Sequence, residues 1–351
     1  MDKRDWLENI FLKSIEKVKP DLEETEENAE KISKVVQNIM PDLIEMYDSH
    51  LKRKSKSILK RQRKEMSVFK KNLKKIWETA FDQLEIFISF NLEYGVIVSG
   101  SYRKKNNNDV KFETLVRLHA RACQIASEVL ELIKNGFADG ALARWRSLYE
   151  ISILSNFLRD KPVDLCQRYL DHSFVENYYE TQEYQKNCEK LGYEPLSEDE
   201  INVVHDLLEE QKKKYGDDFV KPYGWLGDYL PKRKWSFAGI EETIEFKFMR
   251  SFYKMANNSV HSGAKGFLFK LGTYNQDEVM LAGPSNYGFA DPAQNAAYSL
   301  LQTTLTLSEF ETYIEDALYV GIGMNMLDRL SEEFVRIQNQ IEEEENINNK
   351  T

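Results

Sequence analysis

Ala141-Leu-Ala-Arg-Trp-Arg-Ser-Leu-Tyr-Glu-Ile-Ser-Ile-Leu-Ser-Asn-Phe-Leu158 is, Arg144 aside, apolar or small on nearly every side of a helical wheel, yet it carries Arg146 and Glu150. A helix that is apolar all round is a buried one. Arg146 and Glu150 stand one turn apart and so share a face. The stretch therefore predicts the central helix of an all-α, multi-helix bundle with a charge pair inside it. Removing two charges from water costs on the order of several kcal/mol per ion unless geometry and further hydrogen bonds offset it, so the pair marks either a register lock or a polar site.

Helical periodicity continues on both sides of this stretch. Phe112 to Lys134 and Ala141 to Arg159 read as an antiparallel hairpin around the turn Asn135-Gly-Phe-Ala-Asp-Gly140, and a third helix is expected from about Val163 to Lys186. Ser197-Glu-Asp-Glu200 is a capping box, which opens a further helix ending near Tyr215-Gly216. Residues 216 to 239 read as irregular, with helix again from Glu241 to His261. Gly266 to Leu271 and Glu278 to Leu281 flank a polar turn and suggest a small β-hairpin. Two long helices, about Pro292 to Tyr319 and Ile322 to Gln340, complete the bundle, and the acidic stretch Glu342 to Asn346 lies in an expected disordered tail.

Upstream, Trp6 to Lys19 and Leu22 to Met40 read as two helices punctuated by Pro20 and Pro41. A long helix then runs to about residue 90, with Leu51, Ile58, Gln62, Met66, Phe69, Leu73, Ile76, Ala80, Leu84 and Phe87 on its apolar stripe. Lys104-Lys-Asn-Asn-Asn-Asp109 is the best linker. The expected organisation is an N-terminal helical module over 1–105 bearing one long basic helix, a bundle over 106–340, and a tail over 341–351.

The net charge is −10, but residues 51 to 75 hold twelve Lys or Arg against Glu65 alone, +11 locally. Such segregation speaks about partners rather than fold. RNA or another nucleic acid is one expected partner, through Lys56, Lys60, Lys64 and Lys71 among others; an acidic protein surface, a solvated coiled-coil face and the chain's own acids at 21–30 are the alternatives. Three cysteines without paired spacing argue against a disulfide framework or a zinc site, and no metal or cofactor is implied. The first residues lack a signal-peptide apolar run and no stretch has the length of a membrane span, so a cytoplasmic protein without membrane contact is expected.

Arg146-Ser-Leu-Tyr-Glu150, Arg168-Tyr-Leu-Asp-His172, Tyr223-Gly-Trp-Leu226, Tyr253 with Val260-His261, and Gly283-Pro-Ser-Asn-Tyr-Gly288 follow one another in an order that resembles the bacterial family known as domain of unknown function 5677. The resemblance covers roughly residues 112 to 320 and implies a helical domain in which the Arg-x-x-x-Glu and terminal Val-His elements belong together; it implies no activity.

Two constellations carry chemistry. Arg146 with Glu150 and Arg168 with His172 each span one helical turn, so with His261 they could build an anion-binding cavity or a structural network. Arg250, Lys254, Asn257 and His261 fall on one helical stripe, either a solvated face or a site. The site reading is an analogy with the HEPN-type ribonucleases, in which an arginine and a histidine act without metal on the RNA phosphodiester at a dimer interface. The positions where that arginine would stand hold Ala256, Met255 and Lys254, so only a lysine at the widest spacing is present. The leading expectation is a bacterial stress or phage-defence effector cleaving RNA as a homodimer, with His261, Arg146, Glu150, Lys254 and Asn257 catalytic and Arg168, His172 and Arg250 binding. The competing expectation is a non-enzymatic interaction or sensor protein whose polar network only fixes the fold. His119 and Cys123 read as a packed pair rather than as metal ligands.

Overall fold

A computed structural model describes residues 26–105, 109–245, 247–261, 263–274, 281–310 and 314–348. They form eleven α-helices, with short 3₁₀ turns and no strand among the described residues. The expected helix over 6–19 lies outside these residues. The chain divides into two compact units, Met1–Phe69 and Lys70–Thr351.

Helix α1, Glu26–Lys105, crosses Pro41 without ending, where the sequence predicted two helices. A proline costs an interior helix one hydrogen bond and a clash with the carbonyl one turn back, a local penalty that a helix of this length absorbs. In the first unit the basic side chains between Lys52 and Lys64 are all exposed, and Leu51 on the expected apolar stripe is also exposed. In the second unit the stripe is a buried seam: Leu73, Trp77, Ala80, Leu84, Phe87, Asn91, Tyr94 and Val98 recur at steps of three and four. Trp77 replaces the expected Ile76, which is exposed. Its ring packs against Phe81, Phe289 and Phe334, and its indole N–H donates to the Asn286 carbonyl at 3.0 Å. Residues 70–105 of α1 thus lie in the same compact unit as the bundle.

Helix α2 (Val110–Lys134) starts at Asp109, whose carboxylate caps the Phe112 N–H at 3.0 Å. Helix α3 (Ala138–Arg159) returns antiparallel to it and is the central helix that its composition predicts. It packs against α2, against α8 (Arg250–Val260) and against α10 (Ala290–Leu305). Trp145 on α3 is fully buried and donates its indole N–H to Ser299 Oγ on α10 at 3.0 Å.

The expected third helix is two, α4 (Val163–Asp171) and α5 (Ser173–Asn187), broken at His172. Helix α6 (Glu198–Tyr215) opens with the capping box formed by Ser197 and Glu200. The segment from Gly216 to Trp235 is a series of 3₁₀ turns, followed by α7 (Phe237–Glu241), so the predicted helix over 241–261 begins only at Arg250. The first arm of the expected β-hairpin overlaps helix α9 (Ala264–Leu268), and most of the second arm lies outside the described residues. Gly266 lies so close to the Asn258 carbonyl that a Cβ would stand 2.0 Å from its oxygen, which fits a turn folded back on α8 rather than an extended strand. Helix α11 (Ile314–Asn348) continues through the acidic stretch expected to be disordered. Leu330, Phe334, Ile337 and Ile341 recur along it at three- and four-residue steps and are buried, carrying the helix to the edge of that stretch.

Candidate functional site

The charge pair that the central helix predicts is bridged by a tyrosine. The Tyr253 hydroxyl on α8 donates to Glu150 Oε1 at 2.6 Å and accepts from Arg146 Nη2 at 2.9 Å, while Arg146 and Glu150 approach to 3.4 Å. Arg146 also lies over the Tyr253 ring, 4.9 Å from its centroid. Burial, and then the adjoining Glu150 carboxylate, raise the Tyr253 hydroxyl above its ordinary pKa, so it stays protonated and keeps donating. The pair is not enclosed as predicted: the side chains are 25% and 41% exposed. Helix α3 is apolar all round, but one of its sides faces an open groove.

A second polar link joins α3 to α7. Glu241 is 1% exposed; its Oε1 accepts the Tyr149 hydroxyl at 2.7 Å and its Oε2 pairs with Arg250. Burial pushes Tyr149 up to about 12, which makes it a donor at every physiological pH. Arg250, expected to bind a ligand, instead holds this buried carboxylate.

The groove has a volume of about 1050 Å³. Its floor is α2 and α3, through Leu118, Ile125, Ser147, Ile151 and Leu154. One wall is α4 and α5, with Tyr169, His172, Val175 and Tyr179; the other is Val220, Pro222, Tyr223 and Trp225 with Phe237 and Ile240 beyond. Charged side chains are few: Glu150, Glu176 and Glu180 against Arg121 and Arg144. Arg144 is already paired with Glu128 on α2. Mainly apolar and aromatic walls with a few polar groups are the usual make-up of a small-molecule site.

The loop wall is held by residues that the sequence marks as ligand-binding. Arg168 donates from Nε to the Trp225 carbonyl at 2.9 Å and from Nη2 to the Gly224 carbonyl at 3.3 Å, and its guanidinium lies 4.5 Å from the Tyr215 ring centroid. A Cβ on Gly227, which has φ of +51°, would stand 2.8 Å from Arg168 Nη2, so glycine lets the backbone close onto the guanidinium. His172 Nε2 is 3.2 Å from the Lys221 carbonyl, which can only accept, so that nitrogen carries the proton. Asp171 does not orient His172. It accepts from Gln167 at 2.6 Å, Lys214 at 2.8 Å and Tyr215 at 2.7 Å. Burial works to raise its carboxyl, but these donors together hold it below its ordinary range. On this wall Tyr223 has φ of 60°, the only left-handed residue other than glycine among the described residues. Such strain persists only where surrounding structure imposes it.

Of the predicted site residues, the structure joins Arg146 to Glu150, and places Glu150 and His172 on the same groove. His261 is exposed at the C-terminal cap of α8 and is not among the groove residues; Lys254 is exposed and Asn257 half-buried on the same helix. Lys56, Lys60, Lys64 and Lys71 are exposed on α1. His119 and Cys123 are a buried packed pair, Sγ to Nε2 3.6 Å, with the imidazole bonded to Thr304 at 3.1 Å. No cluster with the make-up of a metal site occurs among the described residues. No helix among them is long and apolar enough to cross a membrane. Sequence reasoning quoted Tyr149 and Tyr223 within motifs but gave them no role, and it missed Glu241: nothing local to Glu241 separates it from a solvent-facing acid, and its partners lie 92 residues upstream and 9 downstream.

No curated protein and no solved structure matches the chain. A family model does match, beginning at residue 112 as expected and spanning the first three motifs, Tyr253 and His261, but it ends at residue 278, before Gly283. Residues 112–278, which hold α3, the groove and both polar links, match the model of a family of unknown function, DUF5677.

Proposed function

We propose that the second unit is a sensor or interaction domain that binds an amphipathic small molecule in the groove between α3, α5 and the 220–225 loop. The observation that carries this reading is how the polar side chains are spent. Arg146, Glu241, Arg168 and Asp171 are held by protein partners, whereas the groove presents mainly rings and aliphatic side chains. The rings of Tyr169, Tyr223, Trp225 and Phe237 suit the apolar body of a ligand, and Glu150 and Glu176 suit a cationic or hydrogen-bonding head. The reading as a metal-independent RNA-cleaving effector draws no support from this geometry, because His261 stands apart from the Arg146 and Glu150 pair.

The test is a thermal-shift screen of a fragment library against the full chain and its Ser147→Trp variant. Ser147 lies on the groove floor and is a member of neither polar link, so an indole there takes up space that a ligand needs. Amphipathic amines are expected to raise the melting temperature of the unaltered protein and not of the variant. Hits retained equally by the variant would overturn the proposal. A parallel incubation with single-stranded RNA in EDTA decides the competing reading: cleavage lost in His261→Ala would favour the effector.

A further inference from the structure

The apolar and cationic faces of the first unit's helix point in opposite directions. At 100° per residue, Leu51, Ile58 and Phe69 fall on one side, while Arg53, Lys56, Lys60, Arg63 and Lys64 fall on the other. These five cations span about 17 Å of helix axis; Arg53, Lys56, Lys60 and Arg63 follow at steps of three or four residues, and Lys64 stands next to Arg63. All five are exposed. The helix's two nearby acids are engaged off this face, Asp48 with Lys52 and Glu65 with Arg61. Among the described residues no acid lies within ion-pair distance of Lys56, Lys60, Arg63 or Lys64.

We infer that this face binds the sugar–phosphate backbone of a double-helical nucleic acid, without reading its sequence. A row of cations matched to evenly spaced phosphates gains affinity by releasing counterions, and the gain is independent of base identity. Single strands are bound differently, by stacking bases on aromatic rings interleaved with the charge. The cationic face has no ring. Adsorption to a lipid surface would need the opposite face to enter the acyl layer. That face is interrupted by Ser55 and Gln62, between Leu51, Ile58 and Met66.

The experiment is fluorescence anisotropy of the full chain with labelled 20-base-pair DNA and RNA duplexes, each in two unrelated sequences, over 50 to 300 mM salt. Expected is binding at low salt, equal between sequences, with log K falling linearly against log salt. Lys56→Gln with Lys60→Gln should flatten the DNA slope by about 1.8, at roughly 0.9 per phosphate contact. Lys54→Gln with Arg61→Gln removes the same charge from another side of the helix and should leave the slope unchanged. The duplex that binds more tightly identifies the DNA or RNA source. No duplex binding at 50 mM salt, equal slopes for the two double variants, or tighter binding to single strands would each overturn the inference. So would binding to vesicles containing phosphatidylserine in place of duplex. None of these outcomes touches the groove, so this inference and the proposed function fail separately.

Discussion

Replacing Glu241 tests the link between α3 and α7 that forms one end of the groove. The carboxylate is 1% exposed and meets a buried phenol on one oxygen and a guanidinium on the other. Glu241→Ala leaves the Tyr149 hydroxyl without its acceptor, which costs about 1 to 3 kcal/mol for a buried donor. It also leaves Arg250 without its partner. Breaking a fully buried pair costs about 3 to 5 kcal/mol, but the Arg250 side chain is 41% exposed and can turn to water, so its share is discounted. The expected total is about 2 to 4 kcal/mol. Glu241→Gln keeps an acceptor for Tyr149 and should cost about 1 kcal/mol. Urea denaturation of the unaltered protein, both variants, Tyr149→Phe and the Tyr149→Phe, Glu241→Ala double variant completes a cycle. The double variant should be less destabilised than the sum of the singles by about 1 to 2 kcal/mol, since removing both partners leaves neither unpaired. Additive losses, or a Glu241→Ala variant as stable as the parent, would refute the reasoning.

Three further outcomes follow from particular side chains. Burial lowers His119 to about 4, so the unfolded chain takes up its proton near pH 6.5 while the folded chain resists until about 4; its contribution is complete above pH 6.5 and is lost as pH falls toward 4, about 3 kcal/mol in all. Denaturation at pH 7.5, 6 and 5 should show a shallower loss in His119→Gln than in the parent, and parallel curves would contradict this. Gly95→Ala gains helix propensity but puts a Cβ 2.4 Å from His119 Cε1, so a net loss of about 1 to 3 kcal/mol is expected, with much of it recovered in Gly95→Ala, His119→Ala. Tyr223→Gly relieves a left-handed backbone worth about 1 kcal/mol while removing a ring from the groove; stability should move little and ligand affinity should fall, and unchanged affinity would remove Tyr223 from the binding wall.

What could be read in the sequence was what local signals carry. The α2–α3 hairpin has a glycine turn, α6 has its capping box, and the break between α1 and α2 is a run of polar residues ending in an N-cap. The central helix announced itself by being apolar all round, and the Arg146–Glu150 pair by its spacing. What failed depended on distant partners. His172 breaks α4 from α5 while its ring is tied to a carbonyl 49 residues away, and Glu241 is buried because Tyr149 and Arg250 meet it. The pair's exposure was misjudged for the same reason: whether a helix side meets a neighbour or a groove is set by where α5 and the 220–225 loop lie. The resemblance grouped the Val-His element with Arg146 and Glu150, but His261 stands exposed at the C-terminal cap of α8 and is not among the groove residues.

The central claim is that the groove beside α3 holds a ligand, and ¹⁹F NMR of the full chain carrying 5-fluorotryptophan tests it most directly. Of the five tryptophans, Trp225 lines the groove, whereas Trp77 and Trp145 are fully buried elsewhere in the bundle. With resonances assigned by single Trp→Phe replacements, titrating an amphipathic amine from the screen should shift the Trp225 resonance saturably and leave those of Trp77 and Trp145 in place. In Ser147→Trp the Trp225 shift should vanish. A Trp225 resonance that stays fixed while the amine still raises the melting temperature would place the ligand elsewhere and contradict the account.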